Sequence, residues 1–214
     1  MVFSTELPVL TTEFGADNNV NRFLNGAAGS GNTIFGVHNF AVGANNDVRG
    51  VTNEVIGANN QATGILNGAI GNANEVTGAL NGAIGSGNAV RGIVNGAIGV
   101  DNNLNGFLNG AGGSGNQIHG VLNGAVGAGN QINGLANVAI RANNQVRGVL
   151  NGAVGANNQI GGALNGVVGS SNNVQGFVNG VAGSGNEVKG IFNVVAGKDN
   201  QSKGYVNGVA GSSN

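Results

Sequence analysis

A motif of fourteen residues runs through this chain without insertion or deletion from Thr11 to Val206, fourteen copies end to end, with half a copy more from Asn207 to Asn214. Its idealised form is Asn-Gly-Ala-Ile-Gly-x-x-Asn-x-Val-x-Gly-Val-Leu, and the copy from Asn95 to Leu108 is a good example. A fixed period constrains the fold more than any local propensity, because each repeat buries its apolar face only by stacking on its neighbours. With columns numbered from the Asn before Gly, column 8 is Asn in every copy, and column 1 is Asn in every copy but the first, where Thr11 stands. Column 5 is Gly except at Arg141, and column 12 is Gly except at Arg22. Columns 3 and 10 carry small or β-branched residues, such as Ala69, Ala83, Ala97 and Val167 in the first and Val76, Val90, Ile118 and Ile160 in the second.

Within the motif lies a weaker seven-residue period, Asn-x-aliphatic-x-Gly-x-x. Alternation over its first five positions is period 2, the mark of a short strand, and the glycine after it supplies backbone able to turn. Two strands and two turns per motif follow. Helix is disfavoured, since each of the three or four glycines in a copy weakens a helix by about 1 kcal/mol relative to Ala. An antiparallel meander, with Asn-Gly pairs as hairpin turns, and a parallel solenoid with one coil per motif both fit the pattern. The solenoid is favoured, because stacked coils place each Asn above another and let the amides hydrogen-bond along a ladder. The fold expected is all-β, a parallel β-solenoid or β-roll with two short strands per coil and about fourteen coils over residues 11–214, preceded by a capping or docking segment at 1–10. The only proline, Pro8, lies in that first segment, consistent with strands that need every N–H. The expected Asn ladder is Asn32, Asn46, Asn60, Asn74, Asn88, Asn102, Asn116, Asn130, Asn144, Asn158, Asn172 and Asn186.

Alternation also sorts the surface. Columns 9 and 11 flank inward column 10 and hold pairs such as Asp47 and Arg49, Glu75 and Thr77, Gln145 and Arg147, Glu187 and Lys189, a solvated face. Column 4 flanks inward column 3 and holds Val42, Ile56, Ile70, Ile84, Ile98, Val126, Ile140, Val154 and Val168. Such a stripe marks an interface when it faces outward, and lateral self-association through it is expected. The alternative is that columns 4 and 14 close a wider core within one chain. Columns 13 and 14, as in Ile65-Leu66, Ile93-Val94, Phe107-Leu108 and Val121-Leu122, extend the apolar edge, with one of the two expected to fill the coil's interior. Strand edges left open recruit further chains. Head-to-tail contacts are therefore expected through Phe3, Leu7 and Val9 at one end and Tyr205, Asn207 and Asn214 at the other.

Composition bounds the chemistry. Charged residues make up 8% and the formal net charge is −1, which gives little electrostatic protection against self-association. Arg49, Arg91, Arg147, Lys189 and Lys203 share column 11, but acids in column 9 offset them and most stand three or four coils apart, so no nucleic-acid partner is expected. There is no cysteine. His38 and His119 fall in different columns about six coils apart, and Asp17, Asp101 and Asp199 share column 7 at intervals of six or seven coils. Neither set has metal-ligand spacing. No catalytic residue, metal or cofactor is expected, and the chain reads as a non-enzyme. The first residues lack a basic segment before an apolar one, and no run is long and apolar enough for a transmembrane helix. A cytoplasmic location, or export by a route without an N-terminal signal, is the corresponding expectation.

The doubled half-unit Asn-x-Ala-x-Gly-x-x, with apolar outward positions on one strand, resembles the head repeats of trimeric autotransporter adhesins. The likeness covers Thr11 to Asn214, with Ala69-Ile70-Gly71 and Ala83-Ile84-Gly85 matching that family's Ala-Ile-Gly strand ends and Asn standing at turns where the family has Ser. It implies a left-handed parallel β-roll, three of which pack through an apolar face. A second likeness is to curli-type functional amyloid repeats, carried by Gly31-Asn32-Thr33-Ile34, Gly87-Asn88-Ala89-Val90 and Gly115-Asn116-Gln117-Ile118. The expected function is structural, a self-assembling filament, fibre or surface layer. The alternative is an adhesin-like head whose columns 9 and 11 recognise a surface or a glycan.

Overall fold

Each half of the motif forms one strand, and nearly all strands are five residues long, as in Gly68–Asn72 and Glu75–Ala79. The computed structural model describes residues 11–214. It is an all-β parallel solenoid of about fourteen coils, two strands to a coil, with no helix among the described residues. The docking role expected of Phe3, Leu7 and Val9 falls outside the described residues.

The chain divides into two compact units, Met1–Val94 and Asn95–Asn214. In the first, columns 1 to 6 form one parallel sheet and columns 9 to 13 a second, with six strands in each among the described residues. In the second unit the corresponding sheets have nine and eight strands. Pairing keeps the motif in phase. Gly82, Ala83 and Ile84 sit opposite Gly68, Ala69 and Ile70 in the first unit, and Val126 lies between Gly112 and Ile140 in the second. Because side chains alternate across a strand, this offset of one whole motif keeps every column on one face.

Two aliphatic side chains fill each coil. In the first unit these are pairs such as Ala69 with Val76 and Ala83 with Val90, and in the second Ala125 with Ile132 and Val167 with Val174, all buried. A small residue in column 3 opposite a branched one in column 10 sets how closely the two sheets approach. Burial of one such pair contributes on the order of 3–4 kcal/mol, too little to order a coil alone, so stacking is obligatory.

The corners differ from the expectation that the glycine is the turn. Gly71 and Gly78 lie within their strands at φ of 124° and 121°, and a Cβ on either would collide with the carbonyl oxygen of the glycine one coil on, Gly85 or Gly92. Those glycines make the close approach between coils. The chain turns two residues later, in left-handed backbone at columns 7 and 14. Column 7 uses residues suited to that region, such as Asp17, Asn45, Asn59 and Gly87 in the first unit. Asp101 and Asp199 occupy the same position in the second, at φ of 53° and 54°, so the spacing of these aspartates reflects a backbone requirement. Column 14 is mostly Leu, Val and Phe: Leu66, Leu80, Leu122, Leu150, Val178 and Phe192 all have φ between 55° and 60°.

Candidate functional site

The asparagines carry the axial cohesion. Asn60 in column 8 shows the pattern: its Oδ1 accepts from the backbone N–H and the Nδ2 of Asn74, both at 3.0 Å. Its Nδ2 donates to Asn46 Oδ1 at 3.1 Å and to the carbonyl of Gly71 at 2.9 Å. Both lone pairs and both N–H groups of the amide are thus used within a buried site. In the second unit Asn130 donates to Asn116 Oδ1 at 2.9 Å and accepts from Asn144 Nδ2 at 3.1 Å. Asn32, Asn46, Asn74, Asn158, Asn172 and Asn186 repeat the contact to a neighbouring asparagine, while Asn88 and Asn102 donate to and accept from Asn74 and Asn116 respectively. The candidate set stopped at column 8, but column 1 builds an equal ladder. Asn53 donates to Asn39 at 2.9 Å and to the carbonyl of Gly64 at 3.0 Å, and accepts from the N–H of Asn67. The signal was present, since column 1 is almost as invariant as column 8.

The faces are unlike each other. All nine of these column 4 residues are exposed, from Val154 at 37% to Ile98 at 61%, so they do not close a wider core. Nor does either of columns 13 and 14 fill the interior: Ile65 and Leu66 are 52% and 50% exposed. The reason is that a coil has room for only its column 3 and column 10 side chains and its two asparagines. The first sheet of each unit therefore presents a central aliphatic ridge at column 4 and an apolar corner at columns 13 and 14. Between them runs column 2, which is glycine in most coils.

The second sheet is polar. Asp47 accepts from Arg49 at 2.7 and 2.8 Å, Glu75 from Arg91 at 2.8 Å, and Glu187 from Lys189 at 2.6 Å. The hydrogen bond from Lys189, then the charges of Lys189 and Lys203, hold the Glu187 carboxyl below its ordinary range. In the second unit Arg147 borders two shallow hollows, one with Gln117, His119, Gln131 and Asn133, the other with Gln145, Gln159, Gly161 and Gln175. His38 stands at a corner, edge-on to Phe40 at 6.2 Å. Among the described residues no group of His, Cys, Asp and Glu has the arrangement of a metal site, and no helix is long and apolar enough to cross a membrane.

Of the residues expected at the axial contact, Asn207 and Asn214 continue the two ladders, donating to Asn193 at 2.7 Å and Asn200 at 3.1 Å. Tyr205 is exposed and meets Phe192 edge-on at 6.2 Å, as Phe192 meets Phe177. The two arginines that replace glycine distort the backbone locally. Arg141 has φ of 84°, against 124° at Gly127 and 134° at Gly155, yet its register holds and its carbonyl still accepts from Asn130 at 2.8 Å. Arg22 has φ of 79°, its strand shortens to Asn19–Asn21, and its guanidinium lies 4.2 Å from the Phe35 ring centroid.

The sequence matches no protein-family model, and a search of curated proteins returns no match.

Proposed function

We propose that this chain is a structural protein that associates with copies of itself to form a fibre or layer, and that it carries no catalytic centre. The observation behind this reading is the exposure of branched aliphatic residues at nine positions of column 4, broken between Ile98 and Val126 only by Gly112, together with the adjoining corner, an apolar stripe of the kind that marks an interface. Low charge on that side and a net charge of −1 leave little repulsion between copies. Stacking of one chain on another would use the same amide ladder, since every coil presents to the next the donors and acceptors it receives from the one before. Purified protein at micromolar concentration is expected to scatter light as oligomers and to show filaments or sheets by negative-stain microscopy. A monodisperse monomer by both measurements sinks the proposal.

A second reading is favoured by the polar sheet. Amides of Gln117, Gln131, Gln145 and Gln159 surround Arg147, a set of donors and acceptors suited to sugar hydroxyls. On this reading the chain is an adhesin-like head, and sedimentation with insoluble polysaccharides should retain it. Arg147→Ala should release it while leaving oligomeric state unchanged.

A further inference from the structure

In the second unit, two strands of the apolar face break its uniformity in opposite senses. Gly110–Ser114 carries glycine at both of its central outward positions, Gly110 and Gly112, whereas neighbouring coils carry Ile98 and Val126 in column 4. Val138–Ala142 is the reverse, with Val138 in the column 2 glycine track, Ile140 on the ridge and Arg141 beside it, all three exposed. The fold does not require the bare strand to be bare. Gly110 and Gly112 have ordinary backbone, and a Cβ built on either meets nothing within 4 Å. Glycine in such a strand position weakens it by roughly 0.5–1 kcal/mol relative to Ala, and it marks places where another backbone or a ligand approaches closely.

The spacing of the two irregular strands says what approaches. They stand two coils apart, with Gly124–Ala128 between them. We propose that a second copy docks face to face on this sheet with its coils running in the opposite direction, about a two-fold axis along the strand Gly124–Ala128. This inference rests on the self-assembly reading and specifies its lateral contact. The axis brings the full strand of each copy onto the bare strand of the other: Val138 over Gly110, and Ile140 over Gly112, reciprocally. On the same axis Val126 meets the Val126 of the second copy, and Ile98 meets Val154. With coils running the same way, a two-fold axis along the stack would set full strand against full strand and bare against bare. Reciprocity between two patches is the signature of an isologous contact.

Size and charge agree with a second copy. The five strands from Gly96–Val100 to Gly152–Ala156 span about 24 Å at ~4.8 Å per coil, and columns 14 to 6 about 20 Å. That is on the order of 500 Å² per copy and 1,000 Å² in all, the lower bound for a specific interface. Columns 2, 4 and 14 carry no charged residue from Gly96 to Phe192, as expected for the centre of a contact.

Sedimentation equilibrium of the full chain and its variants tests this. Gly112→Ile has room in the monomer and should keep its fold by circular dichroism, yet weaken association by about tenfold or more, because the crowding occurs twice per dimer. Ile140→Gly should also weaken it, and the double variant Gly112→Ile/Ile140→Gly, which moves the knob to the other strand, should restore it. Direction is read by cross-linking, since the chain has no cysteine. Val126→Cys should form a disulfide with its own kind. Ile98→Cys should not, being four coils or about 19 Å from its mate, but should link to Val154→Cys. Equal self-linking by Ile98→Cys, or no recovery in the double variant, overturns this arrangement while leaving self-assembly standing. A wild-type chain that never associates overturns both.

Discussion

A buried amide with all four hydrogen-bonding positions occupied cannot be replaced piecemeal. Asn60→Ala would leave the N–H and one Nδ2 hydrogen of Asn74 without acceptors, and would take a donor from the carbonyl of Gly71. Each such orphan costs about 1–3 kcal/mol, so a loss of at least ~3 kcal/mol is expected in chemical denaturation, and Asn60→Asp should fare no better because it buries a charge. Glycines divide into two kinds by the same reasoning. Gly71→Ala should destabilise severely, since its Cβ would strike the next coil, whereas Gly82→Ala, with open space and ordinary backbone, should stabilise by roughly 0.5–1 kcal/mol. Glu187 titrates below the ordinary carboxylate range because Lys189 donates to it. Its folded-state value is depressed, so its contribution is present above the ordinary carboxylate range and fades as pH falls through the folded value. A nuclear magnetic resonance titration should return it toward the ordinary range in Lys189→Ala. Asn columns and inward aliphatics were legible in the residue string because identity itself is the signal there. The left-handed leucines were not, because Leu at a corner breaks the rule that Gly, Asn or Asp marks it.

At the level of the coil, strain and exposure coincide in column 14. Left-handed backbone at a residue such as Leu150, φ 57°, costs about 1–2 kcal/mol, and the side chain gains little by burial in the isolated chain. Leu150→Asn should therefore raise the thermal midpoint of unfolding and lower the tendency to associate. If both fall together, the corner leucines serve the coil and not a contact. Arg141→Gly should return the backbone to the φ of its neighbours and stabilise by about 1–2 kcal/mol. Unchanged thermal stability would show that the strain at φ 84° is negligible. Periodicity made the two strands and their faces readable in advance. It could not say whether columns 13 and 14 turn inward, because that depends on the coil's cross-section, and the cross-section is set by two asparagines that occupy space which a wider roll would fill with Leu.

For the molecule as a whole, self-association driven by aliphatic surface has a characteristic dependence on solvent. Sulfate should strengthen it and urea at concentrations below unfolding should weaken it, while sodium chloride between low and physiological strength should change it little, since the face carries almost no charge. Steep weakening by sodium chloride would instead point to the polar sheet. The candidate surface was visible in the sequence as column 4, but its irregular strands gained meaning only with the register that places Gly112 beside Val126 and Val126 beside Ile140.

The two ladders are alike and the two sheets are not, and this gives the chain two different units of permissible length change. Excising residues 151–164 removes one full period and leaves every later residue in phase. Excising residues 151–157 alone would bring Asn158 into the place of Asn151, with an asparagine still above and below it and an aliphatic still inside. Everything beyond the cut would then be transposed, its polar side emerging where the oily one had been. Such a chain should still fold, but as a two-faced object whose halves look in opposite directions. Cohesion along the stack is indifferent to a shift of seven residues, whereas sidedness survives only in steps of fourteen.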